Sequence, residues 1–96
     1  MRAEFHPLAR VELLEIAEYI EERRTGYGQR FLNAFDRARD YLLMYPKGAP
    51  RTRGGRRKEI LRFKHDIIYR VYGDVIFIVA IAHHRRKPFW AGRRRR

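Results

Sequence analysis

The stretch from Lys58 to Trp90, KEILRFKHDIIYRVYGDVIFIVAIAHHRRKPFW, constrains the fold more than any other part of the chain. Residues 67–72 and 75–81 are dominated by β-branched and aromatic side chains, which suit a pleated, half-buried surface. Only Gly73-Asp74 separates the two runs, a two-residue loop with Gly first, where a type II′ turn requires positive φ. A β-hairpin is therefore expected. An earlier run, Lys58 to Phe63, reaches the first of these strands through Lys64-His65-Asp66, which extends the hairpin to an antiparallel three-strand meander. The last strand is nearly all apolar, so a central or helix-covered position is expected for it. It ends in His83-His84-Arg85-Arg86-Lys87-Pro88, a polar, cationic cluster that a rigid strand end can hold against a ligand.

Upstream, Arg2 to Phe5 reads as a short first strand, and His6-Pro7 starts a helix because proline is tolerated at the first helical position. Leu13, Ile16, Ala17 and Ile20 fall at helical spacing among five glutamates, the pattern of an amphipathic surface helix ending near Thr25-Gly26. A second helix is expected from about Gln29 to Met44, with Phe31, Phe35, Ala38 and Leu42 on one stripe, closed by Tyr45-Pro46. Lys47 to Arg57, KGAPRTRGGRR, reads as a mobile basic loop, and Gly92 to Arg96 as a tail disordered by self-repulsion. The expected fold is α+β: a short N-terminal strand and a helical hairpin packed on an antiparallel sheet of three to four strands, all within one domain spanning 1–96.

Charge narrows the function. The net charge is +12. Residues 1–45 hold seven Lys or Arg against eight Asp or Glu, and residues 46–96 hold sixteen against three, so the whole excess lies in the C-terminal half. Such asymmetry is the footprint of a polyanionic or acidic partner rather than a general solubility device. The absence of cysteine excludes a disulfide framework and a thiolate metal site. The longest apolar run, Val75 to Ala82, is too short to span a bilayer, and a cytoplasmic protein is expected. No cofactor is implied, and His6 and His65 lack partners at metal-ligand spacing, so no metal is expected.

Several local patterns recur together: Phe5-His6-Pro7-Leu8-Ala9, Leu13-x-x-Ile16-x-x-Tyr19-Ile20, Phe31-x-x-x-Phe35 in a helix closing at Pro46, and Leu61-Arg62. The more specific ones are Ile68-Tyr69-Arg70-Val71 and Ala82-His83-x-Arg85-Arg86-x-Pro88. In this order, and over almost the entire chain, they resemble the RelE/ParE superfamily of toxins from bacterial type II toxin-antitoxin systems, and the ParE branch more closely. The resemblance implies a growth-inhibiting toxin silenced by a cognate antitoxin. ParE-like members poison DNA gyrase; RelE-like members are ribosome-dependent and cut messenger RNA. A basic nucleic-acid-binding module without toxicity is the third reading. The antitoxin is expected to be acidic, to fold on binding, and to wrap the helical hairpin at Leu13, Ile20, Phe31 and Phe35 together with an open sheet edge.

Metal-independent RNA cleavage needs a general base, cations on the scissile phosphate and a general acid. His83 or His84 could serve as base or acid, and Arg62, Arg70, Arg85 and Arg86 could hold the phosphate, with Lys58 and Tyr69 as weaker candidates. The lysine, arginine and tyrosine set of ribosome-dependent relatives is not clearly reproduced, since Phe89-Trp90 stand where a catalytic tyrosine would be useful. If no cleavage occurs, Arg62, Arg70, Arg85, Arg86 and Trp90 are the expected contacts to the target or to nucleic acid, Trp90 by stacking on a base, although a hydrophobic plug on the sheet is the favoured reading of Trp90. Adjacent on one strand, His83 and His84 are expected to point to opposite faces. Arg70, mid-strand, is expected to need a carboxylate partner, Glu59 or Asp66. The arginines of the 47–57 loop are expected to be a steering surface with individually dispensable contacts.

Overall fold

A computed structural model describes residues Met1–Arg96. In chain order the elements are β1 (Arg2–Phe5), α1 (Pro7–Arg23), α2 (Tyr27–Met44), β2 (Arg51–Thr52), β3 (Gly55–Glu59), β4 (His65–Tyr72), β5 (Val75–His83) and a 3₁₀ turn at Phe89–Arg93. The fold is α+β: five strands in the order β1-β5-β4-β3-β2, parallel only between β1 and β5, with the helical hairpin on one face. β5 is central, as its apolar run requires, and all but its last residue is buried. The β4–β5 hairpin turns through Gly73-Asp74, with Gly73 at φ 56°.

Each helix end has a local cause. The Leu8 N–H donates to His6 Nδ1 at 3.1 Å, capping α1 ahead of Pro7. The Glu21 carboxylate accepts the N–H groups of Gly26 and Gly28 at 2.8 and 2.9 Å, closing the turn into α2. Gly28 also lets the helices touch, since a Cβ there would lie 2.7 Å from the Ala17 carbonyl oxygen. The expected α2 stripe, Phe31, Phe35, Ala38 and Leu42, is wholly buried. The α1 stripe is narrower than expected: Ala9, Leu13 and Ala17 are buried, Ile16 and Ile20 half-buried, while Leu8, Val11, Leu14 and Tyr19 face solvent. A single helix resting on a sheet covers only part of its circumference, and these four lie outside the contact.

β5 carries a bulge. Ile68 pairs with Ala80 but Tyr69 with Ile78, so Val79 is an extra residue and the side-chain alternation inverts there. Ile76, Ile78 and Ile81 therefore join the helix-side core, whereas Phe77, Val79, Ala80 and Ala82 join Ile68 and Ala91 in a smaller core on the opposite face. β1 stops at Phe5, opposite Ile78. Farther along, side chains take the backbone groups no strand pairs: Glu12 accepts the Ile81 N–H at 3.1 Å and Arg94 donates to the Val79 carbonyl at 3.0 Å. Arg94 and Glu12 also pair with each other at 2.7 Å.

Two expectations fail for the same reason. The 47–57 segment is not a free loop: Arg51 pairs with Arg56 and Thr52 with Gly55, and β3 continues against β4, which makes five strands rather than three to four. Gly54 and Gly55, at φ 91° and 149°, supply the backbone conformations that arginine-rich neighbours cannot, and the ladder offered by β4 outweighs their low strand propensity. The expected strand from Lys58 accordingly begins earlier, at Gly55, and ends at Glu59. The C-terminal tail is not disordered either. Arg70 donates to the carbonyls of Ala91 and Arg94, Arg94 pairs with Glu12, and Arg96 with Glu4, so specific acceptors overcome the self-repulsion of the arginines. Trp90 and Ala91 thereby cover the second face of the sheet.

Candidate functional site

β5 delivers the predicted cationic cluster to one end of the sheet, and the chain turns sharply after it: the Arg86 N–H donates to the His83 carbonyl and the Arg85 N–H to His83 Nδ1. The turn is held from below by Arg57. Its guanidinium meets buried Asp66 at 2.6 Å and donates to the carbonyls of His83 at 2.9 Å and Arg86 at 3.0 Å. Arg57 was expected to be dispensable; here one planar fork links β3, β4 and the turn, and satisfies the only buried carboxylate. The available sequence signal was Asp66 itself, an acid directly before the apolar run Ile67-Ile68-Tyr69 that had to find a cation.

The histidines differ from expectation. β5 ends at His83, so His84 has left the strand, and the two rings stack at 4.7 Å instead of pointing to opposite faces. His84 also docks on the Lys64 carbonyl, through its backbone N–H at 2.9 Å and its Nδ1 at 3.1 Å. His65, opposite His83 in the ladder, packs edge-on to both His83 and Phe31, with Nδ1 buried and unpartnered. Burial, then the neighbouring His83, pushes the His65 pKa below the ordinary 6.5. Desolvation, then His84 and Arg85, pushes His83 down as well.

A sign follows for stability. A histidine with a depressed folded pKa binds protons more readily in the unfolded chain, so its contribution is complete above pH 6.5 and is lost as pH falls below that value. Thermal unfolding between about pH 7.5 and 5.5 is expected to show a falling Tm. His65→Phe, which removes the orphaned Nδ1, is expected to reduce that fall without lowering Tm at neutral pH. An unchanged pH slope in the variant would clear His65 of this role.

Of the remaining candidates, Arg85 and Arg86 are exposed at the turn, and Arg86 stacks on Trp90 with its guanidinium carbon 4.4 Å from the ring. Arg94 covers the same ring at 4.5 Å, so Trp90 is a half-buried plug between two cations rather than a free stacking surface. Arg70 has no carboxylate partner. Glu59 is exposed, Asp66 belongs to Arg57, and the Arg70 guanidinium is spent on the carbonyls of Gly54, Ala91 and Arg94, which suit its fork as well as an acid would. Arg62 sits apart, lining a cavity beside α2. Phe31, Phe35 and Leu13, expected to meet an antitoxin, are core residues with no surface to offer; Ile20 is half-buried. Lys58 stacks on Tyr41, and the Tyr69 hydroxyl donates to the Pro46 carbonyl at 2.8 Å.

What gathers at the strand end is thus His65, His83, His84, Arg85 and Arg86, flanked by two clefts. One, of about 250 Å³, includes Glu12, Glu15, His65, His83 and Arg86; the other, of about 580 Å³, includes Thr52, Arg57, Lys58, Asp66 and His84. No three His, Cys, Asp or Glu side chains come together as a metal-holding group, and no helix is long and apolar enough to cross a membrane.

Compared with known proteins, no curated sequence matches the chain significantly. The family model described as the ParE toxin of type II toxin-antitoxin system, parDE, matches residues 3–88, from β1 through the turn behind β5. The match takes in both helices, all five strands and the basic turn held by Arg57, and by it the chain belongs to the ParE toxin family of type II toxin-antitoxin systems.

Proposed function

We propose that this protein is a toxin that arrests growth by poisoning DNA gyrase and that a cognate antitoxin silences it. The family match over residues 3–88 carries the reading. The site geometry supports inhibition by binding: Arg57 and Arg70 are committed to internal carbonyls, while Arg85 and Arg86 remain exposed at a rigid turn as contacts for a target. Gyrase and its DNA place this action in the cytoplasm, and the excess positive charge suits a target that carries nucleic acid.

Incubation of the purified protein with gyrase, plasmid and ATP is expected to accumulate linear DNA once the enzyme is denatured. His83→Ala combined with His84→Ala is expected to leave most of that activity, because neither ring has to move a proton. The clustering of His83, His84, Arg85 and Arg86 favours one second reading, a ribosome-dependent ribonuclease using these groups as base, acid and phosphate clamp. Absence of DNA breaks at concentrations that stop growth, with growth arrest lost in the double variant, would replace the gyrase reading by that one.

A further inference from the structure

A concavity of about 220 Å³ opens between the β2–β3 hairpin, β4 and the chain leaving α2, walled by Lys47, Arg51, Arg56 and Arg70. No acid lines it, whereas both clefts beside the basic turn hold carboxylates, Glu59 and Asp66 in one and Glu12 and Glu15 in the other. None of the four cations makes an ion pair. Arg51 and Arg56 also stand directly opposite each other in the ladder, where like charges destabilise a sheet, and theirs is one of only two residue pairs that hold β2.

Local structure holds these charges together. A Cβ on Gly55 would collide with the Tyr69 carbonyl, so only glycine lets β3 begin this close to β4 and set Arg56 alongside Tyr69. Arg56 donates through Nη1 to the Ala49 carbonyl at 2.9 Å, which leaves its Nε and Nη2 donors without a protein acceptor. Lys47 and Arg51, both exposed, supply further donors. Arg70 is already spent on the carbonyls of Gly54, Ala91 and Arg94, so it adds charge rather than a contact.

We propose that this concavity grips a phosphate of duplex DNA, with Lys47, Arg51 and Arg56 as the contacts and no readout of base sequence. The anion offsets the repulsion between the opposed arginines, the role that Asp66 fills for Arg57. A single strand fits less well, because the one aromatic ring in the lining, Tyr69, is fully buried with its hydroxyl committed to Pro46 and offers no base a stacking surface. An acidic peptide lacks apolar surface to rest on for the same reason. A gripped phosphate also makes Arg51 and Arg53 unequal, although they sit two residues apart on one hairpin; a diffuse steering surface would treat them alike. DNA binding by the protein alone goes beyond the gyrase reading and is measured without gyrase, so either can fail without the other.

The test uses fluorescence anisotropy of the full chain with a labelled duplex of about twenty base pairs over a range of salt concentrations. The duplex is expected to bind. Lys47→Ala and Arg51→Ala are each expected to weaken it about five- to ten-fold near 0.1 M salt and to reduce the slope of log K against log salt by about one. Both leave the bond from Arg56 to Ala49 in place, and Arg51→Ala removes an opposed charge, so neither should lower Tm. Arg53→Ala, outside the concavity, should change affinity by less than about two-fold. No duplex binding, or an equal loss in Arg53→Ala, would overturn the proposal. So would a single strand or a polyglutamate of matched charge that binds as tightly with the same dependence on Lys47 and Arg51. Inorganic phosphate that raises Tm through these residues while the duplex stays unbound would reassign the concavity to free phosphate and overturn it as well. If gyrase poisoning persists in those cases, the toxin reading stands without this DNA contact.

Discussion

Arg57→Ala is expected to destabilise the protein by about 3–5 kcal/mol, read by urea or thermal unfolding, because it strands the Asp66 carboxylate in the interior. For a domain of this size that corresponds to a drop in Tm of roughly 20 °C. Asp66 is 4% exposed, so water cannot replace the lost cation without opening β4. The His83 and Arg86 carbonyls lose their donor at the same time, and the basic turn loses its fixed position. Arg57→Lys should recover only part of the loss, since an ammonium cannot span the carboxylate and two carbonyls as a planar fork does. Arg57→Met combined with Asp66→Asn should be more stable than Arg57→Ala alone, because no unpaired charge remains. If Arg57→Ala costs less than about 1 kcal/mol, the pair behaves as a surface salt bridge and the account of the turn is wrong.

Truncation after Pro88 is expected to be nearly as damaging, on the order of 3–4 kcal/mol, and to expose apolar surface that binds a hydrophobic dye. The removed residues include Trp90 and Ala91, which cover Ile68, Phe77 and Val79 on the face away from the helices. They also include Arg94, whose loss leaves Glu12 unpaired and the bulged backbone of β5 without a donor at Val79. Native stability is only about 5–15 kcal/mol, so this loss removes a large fraction of it and the truncated chain should melt well below the full-length protein. Arg94→Ala separates the contributions, removing the ion pair while leaving Trp90 in place. A truncated chain with unchanged Tm would mean that the tail only rests on the sheet.

The two predictions bear on function through the same elements. The turn carrying His83 to Arg86 is fixed on one side by Arg57 and on the other by the stack of Arg86 on Trp90, so on the proposed toxin reading both changes should also weaken inhibition of the target. Because that loss would follow from displacement, inhibition should be compared with Tm across the set, and Arg85→Ala, which removes an exposed contact, is the cleaner probe of the target surface.

Local chemistry was enough for much of this fold. The Gly73-Asp74 hairpin, the α2 stripe from Phe31 to Leu42, the proline start of α1 and the central place of β5 each rest on periodicity or turn geometry within a few residues. The candidate residues at the strand end were legible for the same reason, as a charged segment next to an apolar one. Their arrangement was not. That Asp66 takes Arg57 rather than Arg70, and that the two histidines stack, depends on the ladder register that sets Asp66 opposite Glu59 and His65 opposite His83.

The amino-acid sequence by itself determined the order of elements, the faces the helices bury and the concentration of positive charge in the C-terminal half, because propensity, spacing and composition act locally. Only the tertiary structure decided which arginines are spent and which are free. Arg57, Arg70 and Arg94 become internal fasteners, while Arg30, Arg37, Arg62, Arg85 and Arg86 make no ion pair. All arginines look alike in sequence. A guanidinium is committed only where folding brings a desolvated carboxylate or an unpaired carbonyl within about 3 Å of it, and those acceptors arise from strand register, the β5 bulge and the docked tail.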